Sequence, residues 1–189
     1  MQIQSISADE LVAELGTFIE LIQHAVADGA SLGFLAPLSR DAAHGYWLSL
    51  RDEIRTGSRL LLVARANGRI VGTGQLALAR WSNAQHRAEV QKLVVDGSMR
   101  GLGVGQALMA ALHEAALARG RTLIVLGTRQ GGRPLRFYER LGYRVAGVVP
   151  GNCIDADDNR HASAMLYRDL ATRAVAADLR ERTSEPSMA

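Results

Sequence analysis

The feature that most constrains this chain is an apolar strand that runs into a glycine-rich turn opening an amphipathic helix. The strand is Val90-Gln91-Lys92-Leu93-Val94-Val95, and the turn and helix follow as Arg100-Gly101-Leu102-Gly103-Val104-Gly105-Gln106-Ala107-Leu108-Met109. At the first turn of a helix the backbone N–H groups have no intrahelical acceptor. The helix dipole adds about half a positive charge there, and glycines remove the side chains that would hold an anion away from the backbone. The segment reads as a site for a phosphorylated ligand.

Two common phosphate motifs are excluded by residue identity. A P-loop needs Gly-Lys-Ser/Thr at its end, whereas Gln106 and Ala107 follow Gly105. A dinucleotide fingerprint starting at Gly101 and Gly103 wants Gly or Ala at position 106 and an acidic residue about 20 positions on. Here Gln106 and the apolar run Thr122 to Leu126 occupy those places. What fits is Arg/Gln-x-x-Gly-x-Gly/Ala at Arg100, Gly103 and Gly105, which resembles the acyl-CoA pyrophosphate motif of the GNAT superfamily of N-acetyltransferases.

The chain has 189 residues, 48% of them hydrophobic, which is enough for one sizeable core. The expected organisation is one domain over 1–170 and a C-terminal tail over 171–189 that frays. The net charge is only +3 and no polybasic run appears, which argues against nucleic-acid and membrane partners. Lys92 is the only lysine and Cys153 the only cysteine, so an internal disulfide is ruled out. The N-terminus lacks a signal-peptide pattern and no apolar run is long enough to cross a bilayer, so a cytoplasmic protein is expected.

The order of elements follows from periodicity and punctuation. Ile3 to Ile6 reads as a strand, and Ser7-Ala8-Asp9-Glu10 as a capping box for one helix carrying Leu11, Leu15, Phe18, Ile22 and Val26 on a single face. A second helix follows Ser39, with Ala43, Trp47, Leu50 and Ile54 as its apolar stripe and Gly57 at its end. Strands at Arg59–Ala66 and Arg69–Ala79 meet at Asn67-Gly68, a hairpin turn. Arg87–Val95 is the next strand, then the glycine-led helix to Arg119, then a buried parallel strand at Thr122–Leu126. Pro134 suits the first turn of a helix to Leu141, before strands at Tyr143–Val149 and Ser163–Asp169.

This order is similar to that of the GNAT fold, and the segment Phe137-Tyr138-Glu139-Arg140-Leu141-Gly142-Tyr143 resembles the aromatic-rich helix of that family. The resemblance implies an α/β protein with a central, mostly antiparallel sheet, a splayed parallel pair of strands and about four flanking helices. It implies acetyl-CoA as co-substrate, no metal, and a primary amine of a small molecule as acceptor. The pantetheine arm would lie in the strand gap, with Leu93, Val94 and Val95 beside it and the amides of Arg100, Gly101, Leu102, Gly103, Val104, Gly105 and Gln106 on the pyrophosphate. Tyr138 would act as general acid and Glu89 as general base. Arg133 and Arg136 could meet coenzyme phosphates or form a solvated face, and both stay outside the site set.

Three further segments, around His86–Leu93, Gly33–Leu38 and Val149–Gly151, resemble the tabtoxin-resistance acetyltransferases within the family. They imply acceptor contacts at Phe34, His86, Arg87 and the loop from Pro150 to His161. That subset commonly carries an Asp where this chain has Gly127, a departure that bears on the acceptor. A non-catalytic acyl-CoA sensor remains open, as does the oligomeric state, a homodimer included. Gly29-Ala30-Ser31-Leu32-Gly33, with Asp155 and His161 following, matches the spacing of a serine hydrolase, but Ser31 follows a helical run where a nucleophile elbow requires a strand. The five histidines are scattered, without His-Glu-x-x-His.

Overall fold

A computed structural model describes residues 1–171 of the chain, so the tail expected over 171–189 lies, from residue 172 on, outside the described residues. The chain runs β1 (Gln2–Ser5), α1 (Ala8–Ala13), α2 (Leu15–Ala27), α3 (Arg40–Ser49), α4 (Arg51–Arg55), β2 (Arg59–Ala66) and β3 (Arg69–Leu78). It continues with β4 (Arg87–Val95), α5 (Val104–Leu117), β5 (Leu123–Arg129), α6 (Arg133–Arg140), β6 (Arg144–Ile154) and β7 (Arg160–Asp169).

Local chemistry sets many of the boundaries. Ser7 and Glu10 form the capping box of α1: the Glu10 N–H donates to Ser7 Oγ at 3.2 Å and the Ser7 N–H to Glu10 Oε2 at 2.6 Å. Ser39 caps α3 through the Ala42 N–H at 3.1 Å. Asn67 at φ 50° and Gly68 at φ 76° turn the β2–β3 hairpin with the positive dihedrals that a two-residue turn needs.

Among the described residues seven strands form one sheet in the order β1-β2-β3-β4-β5-β7-β6. All neighbours are antiparallel except β4 and β5. Alternation along β2 covers both faces, with Leu60, Leu62 and Ala64 buried under α5 and Leu61 and Val63 under α2 and α3. On the α2–α3 side Trp47 is fully buried, and its indole N–H donates to the Phe18 carbonyl at 3.0 Å, tying the two helices together. On the other side α5 approaches β3 closely, because β3 presents glycines beneath it. A Cβ on Gly72 would stand 3.0 Å from the Val94 carbonyl, and one on Gly74 2.9 Å from Leu112 Cδ1.

Several boundaries differ from the sequence-based expectation. The first expected helix is two, because Glu14 leaves helical geometry at φ −108° and ψ 17° where its carboxylate pairs with Arg65 of β2, and Gly16 weakens the next turn. The second is likewise divided at Leu50. Strand β5 continues past its apolar run to Arg129, since Gly127, Thr128 and Arg129 still pair with Met165, Ala164 and Ser163. The stretch from Pro150 to His161, expected as a loop, is mostly hairpin: β6 reaches Ile154 by absorbing Pro150-Gly151 in an irregularity between Val149 and Cys153, and β7 begins at Arg160.

Close packing at β3 gives a direct test. Gly72→Val should lower stability by about 1–3 kcal/mol in urea unfolding, since its methyls meet a backbone carbonyl and two α5 side chains. Gly147→Val, on an exposed strand with no heavy atom within 4 Å of an added Cβ, should leave the unfolding midpoint unchanged or slightly raised.

Candidate functional site

The site originates in a defect of β4. Between the pairs Thr73↔Val94 and Gln75↔Gln91, β3 advances two residues while β4 advances three. The extra residue is accommodated where Lys92 takes φ 48°, a left-handed conformation uncommon for a side chain with a Cβ. The bulge inverts the alternation of the strand. Ala88 and Val90 face the α5 side, yet Val94, at the same parity, is buried on the α2–α3 side.

The same defect opens a gap. Strands β4 and β5 pair only over Arg87↔Leu123, Ala88↔Ile124 and Glu89↔Val125. Beyond that point β4 is held by β3 and β5 by β7, so two anchored strands diverge with unpaired backbone facing the space between. A cleft of about 780 Å³ occupies this space, walled by Leu93, Val94 and Val95 of β4 and by Phe137 and Tyr138 of α6.

At the mouth of the cleft stands the glycine turn. Gly101 and Gly103 both take φ 81°, and α5 begins at Val104 directly after the left-handed Gly103. The amides of Arg100 and Leu102 turn inward to the Gly97 and Met99 carbonyls at 3.4 Å. Among the described residues, the amides of Gly101, Gly103, Val104, Gly105 and Gln106 have no backbone acceptor, so they form the row available to an anion. Arg100 lines the cleft while its side chain pairs with Asp28 at 2.8 Å; Leu102 is 64% exposed and does not line the cleft. Arg133 and Arg140 also line the cleft, giving it three guanidiniums against the one Asp28 carboxylate. Neither was in the sequence-derived site set. Their signal was positional only, one at each end of the helix bearing Tyr138.

Tyr138 is 9% exposed, and its ring meets Phe137 at 5.2 Å and Tyr143 at 5.8 Å between centroids. Burial pushes its phenol up to about 12, so the group carries its proton at neutral pH and holds it more tightly than an exposed phenol does. Glu89 stands at the last paired position of β4, where the two strands begin to part. Phe34, in the connection between α2 and α3, packs edge-on against Tyr46 with ring centroids 5.2 Å apart.

None of the sequence-derived acceptor residues Phe34, His86 and Arg87 lines the cleft, and neither does Glu89. His86 and Arg87 are exposed at the closed end of the β4–β5 pair, where the His86 carbonyl accepts from Thr122 and Leu123. Arg87 and Leu93 are six positions apart along the strand, about 20 Å at 3.3 Å per residue. The hydrolase arrangement is not formed either. Ser31 follows α2 in an irregular connection, its hydroxyl lies 3.9 Å from Cys153 Sγ, and His161 Nε2 meets Asp155 at 2.6 Å. A smaller hollow of about 400 Å³ between α2 and the β2–β3 turn is lined by Glu14, Glu20, His24 and Arg69 and has neither a strand gap nor a glycine turn. Among the described residues no group of three or more potential metal ligands occurs, and no helix is long and apolar enough to cross a membrane.

Comparison with known proteins agrees with this geometry. A family model described as Acetyltransferase (GNAT) domain matches residues 57–145, from just before β2 to the start of β6. An uncharacterized N-acetyltransferase of Methanocaldococcus jannaschii is 36% identical over 109 residues, covering 56% of this chain and 46% of that protein. The glucosamine 6-phosphate N-acetyltransferase of Trypanosoma brucei brucei is 37% identical over 79 residues, 41% of this chain and 52% of that protein. The chain thus spans about half the length of the curated relatives it matches. A Salmonella typhimurium structure solved with its cofactor acetyl-CoA superposes with a TM-score of 0.71 at 19% identity, over 90% of this chain and 94% of that one. The mixed sheet with one splayed parallel pair is thus a fold shared with that structure.

Burial of Tyr138 has a measurable consequence for stability. Below about pH 10 the phenol is protonated in folded and unfolded chains alike, so it adds no pH dependence. As pH rises towards the folded value of about 12, the unfolded chain has already released the proton and the native state has not, so stability falls. Urea midpoints measured from pH 9 to 11.5 should decline, and Tyr138→Phe should make that decline shallower by at most roughly 1.4 kcal/mol per pH unit.

Proposed function

We propose that the protein is an acetyl-CoA-dependent N-acetyltransferase acting on a primary amine of a small molecule. The observation that carries this reading is the pairing of a strand gap with a row of five free amides at the start of α5, in one cleft. A flat, extended pantetheine can add to exposed strand backbone, and a diphosphate suits a helix N-terminus flanked by guanidiniums. The match to the GNAT domain and the likeness to an acetyl-CoA-bound structure support the choice of ligand.

When bound, acetyl-CoA supplies an activated acetyl group as a thioester. The chain's own groups then divide the remaining work. The amides of Gly101 and Gly103 to Gln106 bind the diphosphate, with Arg100, Arg133 and Arg140 adding charge. A backbone N–H at Leu93 or Val94 polarises the acetyl carbonyl, and such a donor can be worth about 3 kcal/mol of barrier. An alkylammonium has a pKa of about 10, so the acceptor has to lose a proton before its nitrogen can attack. Glu89, at the fork of the two strands, takes that proton. As the new C–N bond forms and the C–S bond breaks, the Tyr138 hydroxyl hands its proton to the departing sulfur, and the second proton shed by the nitrogen as it becomes an amide passes through solvent to restore the Tyr138 phenol. The narrower likeness to tabtoxin-resistance enzymes supports a small, free amine as acceptor over a protein.

Isothermal titration with acetyl-CoA, alongside a free-thiol assay over an amine panel, tests the reading. Gly103→Asp and Gly105→Asp should each weaken acetyl-CoA by about 100-fold or more, because each sets a carboxylate among the anion-binding amides. Tyr138→Phe should leave the affinity within a few-fold and lower kcat by about 10- to 100-fold. Undiminished affinity in both glycine variants would remove the coenzyme assignment. Tight binding with no thiol released from any amine would instead identify an acyl-CoA sensor.

A further inference from the structure

Lys92 does more than mark the bulge. Its Nζ lies 5.4 Å from the Phe34 ring centroid and 5.5 Å from that of Tyr46, and the two rings meet nearly at right angles, at 78°. Gly33 closes the third side, where an added Cβ would sit 3.3 Å from Nζ. The ammonium therefore occupies a half-buried aromatic corner. Among the described residues it forms no ion pair and no hydrogen bond.

A second cation shares this face and behaves differently. Arg59 donates to Glu53 Oε2 at 2.7 Å, to Gln75 Oε1 at 2.9 Å and to Gln91 Oε1 at 2.8 Å, so its charge is met within the protein. Burial and the Arg59 charge both act against the Lys92 ammonium, and only the field of Glu89 favours it. Cation–π contact offsets part of the cost of such a group, but a paired anion offsets more.

The position of this corner specifies which anion. Leu93 and Leu32, the immediate neighbours of Lys92 and Gly33, line the coenzyme cleft. The Lys92 corner therefore borders the cleft one residue along the strand from Leu93, with Glu89 three residues back, although neither side chain is part of the cleft wall itself. A single cation between two flat apolar walls suits a planar, singly charged group better than a phosphate, which calls for several donors.

We propose that Lys92 is the specificity-determining residue of the acceptor site and receives the carboxylate of the amine substrate between Phe34 and Tyr46. The acceptor class is then a small amino acid, bound as a dipole with its nitrogen towards Glu89 and its carboxylate on Lys92. This inference rests on the acetyltransferase reading.

The test is a free-thiol assay with α-, β- and γ-amino acids, each beside its own primary amide, and O-phosphoethanolamine as a phosphate arm. In the wild type the best acid should exceed its amide in kcat/KM by about tenfold or more. Lys92→Met should collapse that ratio to near one, and Lys92→Arg should keep most of it. A ratio near one in the wild type, a ratio that survives Lys92→Met, or a phosphorylated amine preferred over every amino acid would overturn the proposal.

A measurement without turnover covers the remaining outcomes, including a Lys92→Met variant that does not fold. Because Lys92 is the only lysine, reductive ¹³C-methylation of the wild type gives one lysine signal. In the presence of coenzyme A, N-acetylglycine should shift that signal saturably and N-acetylglycinamide should not. Equal effects from the two, or none from either, would overturn the Lys92 assignment. A panel in which no amine releases thiol counts against the acetyltransferase reading, and the lysine signal then judges the carboxylate anchor by itself.

Discussion

One extra residue in β4 is the constraint on which the rest of the structure depends. A regular strand would keep its ladder to β5 along its whole length and would present residues of one parity to each face. With Lys92 in a left-handed conformation, β4 keeps its partner β3 but inverts its alternation, and its pairing with β5 ends at Glu89↔Val125. The sheet is therefore continuous on one side of the bulge and divided on the other. Both flanking strands remain hydrogen-bonded to their outer neighbours, so the gap is a stable cavity with rigid walls.

Placement of α5 is the companion of that defect. The helix can press its Val104, Leu108 and Leu112 onto the sheet because β3 carries Gly72 and Gly74 beneath them. That close contact fixes where the helix begins, and hence where its unpaired amides stand relative to the gap. Gly101 and Gly103 then let the chain enter the helix from the left-handed region with no side chain in front of the amides. The bulge and the glycine turn lie a few residues apart in sequence, and one cleft contains both.

The two faces of the sheet have different electrostatic characters. On the α5–α6 side the cleft has an excess of guanidinium and a buried phenol held protonated by desolvation. On the α2–α3 side a network joins Tyr46, Gln75, Arg59, Gln91 and Glu53, with Lys92 beside it in its aromatic corner. The bulge in β4 sets which of its residues face each side beyond the point where the strands part.

Much of this was legible in the chain alone. Periodicity and turn residues located β2 and β4 to the residue, and the Asn67-Gly68 turn and the glycine-led helix needed only short-range chemistry, because steric limits on φ and unpaired amides are local. The break at Glu14 and the extension of β5 to Arg129 were not legible, since each depends on a partner distant in sequence, Arg65 and Ser163, and the hairpin over Pro150 to His161 was masked by the Pro150-Gly151 pair that β6 absorbs in an irregularity. His86 and Arg87 looked like acceptor contacts by motif, yet strand length carries them to the closed end of the pair. Conversely, nothing in the order of residues joins Lys92 to Phe34 and Tyr46, some fifty positions apart. Local sequence determined that an anion-binding turn would form after an apolar strand. Only the packed sheet, by misaligning one strand against its neighbour, decided that a cleft would lie beside that turn and which side chains would face into it.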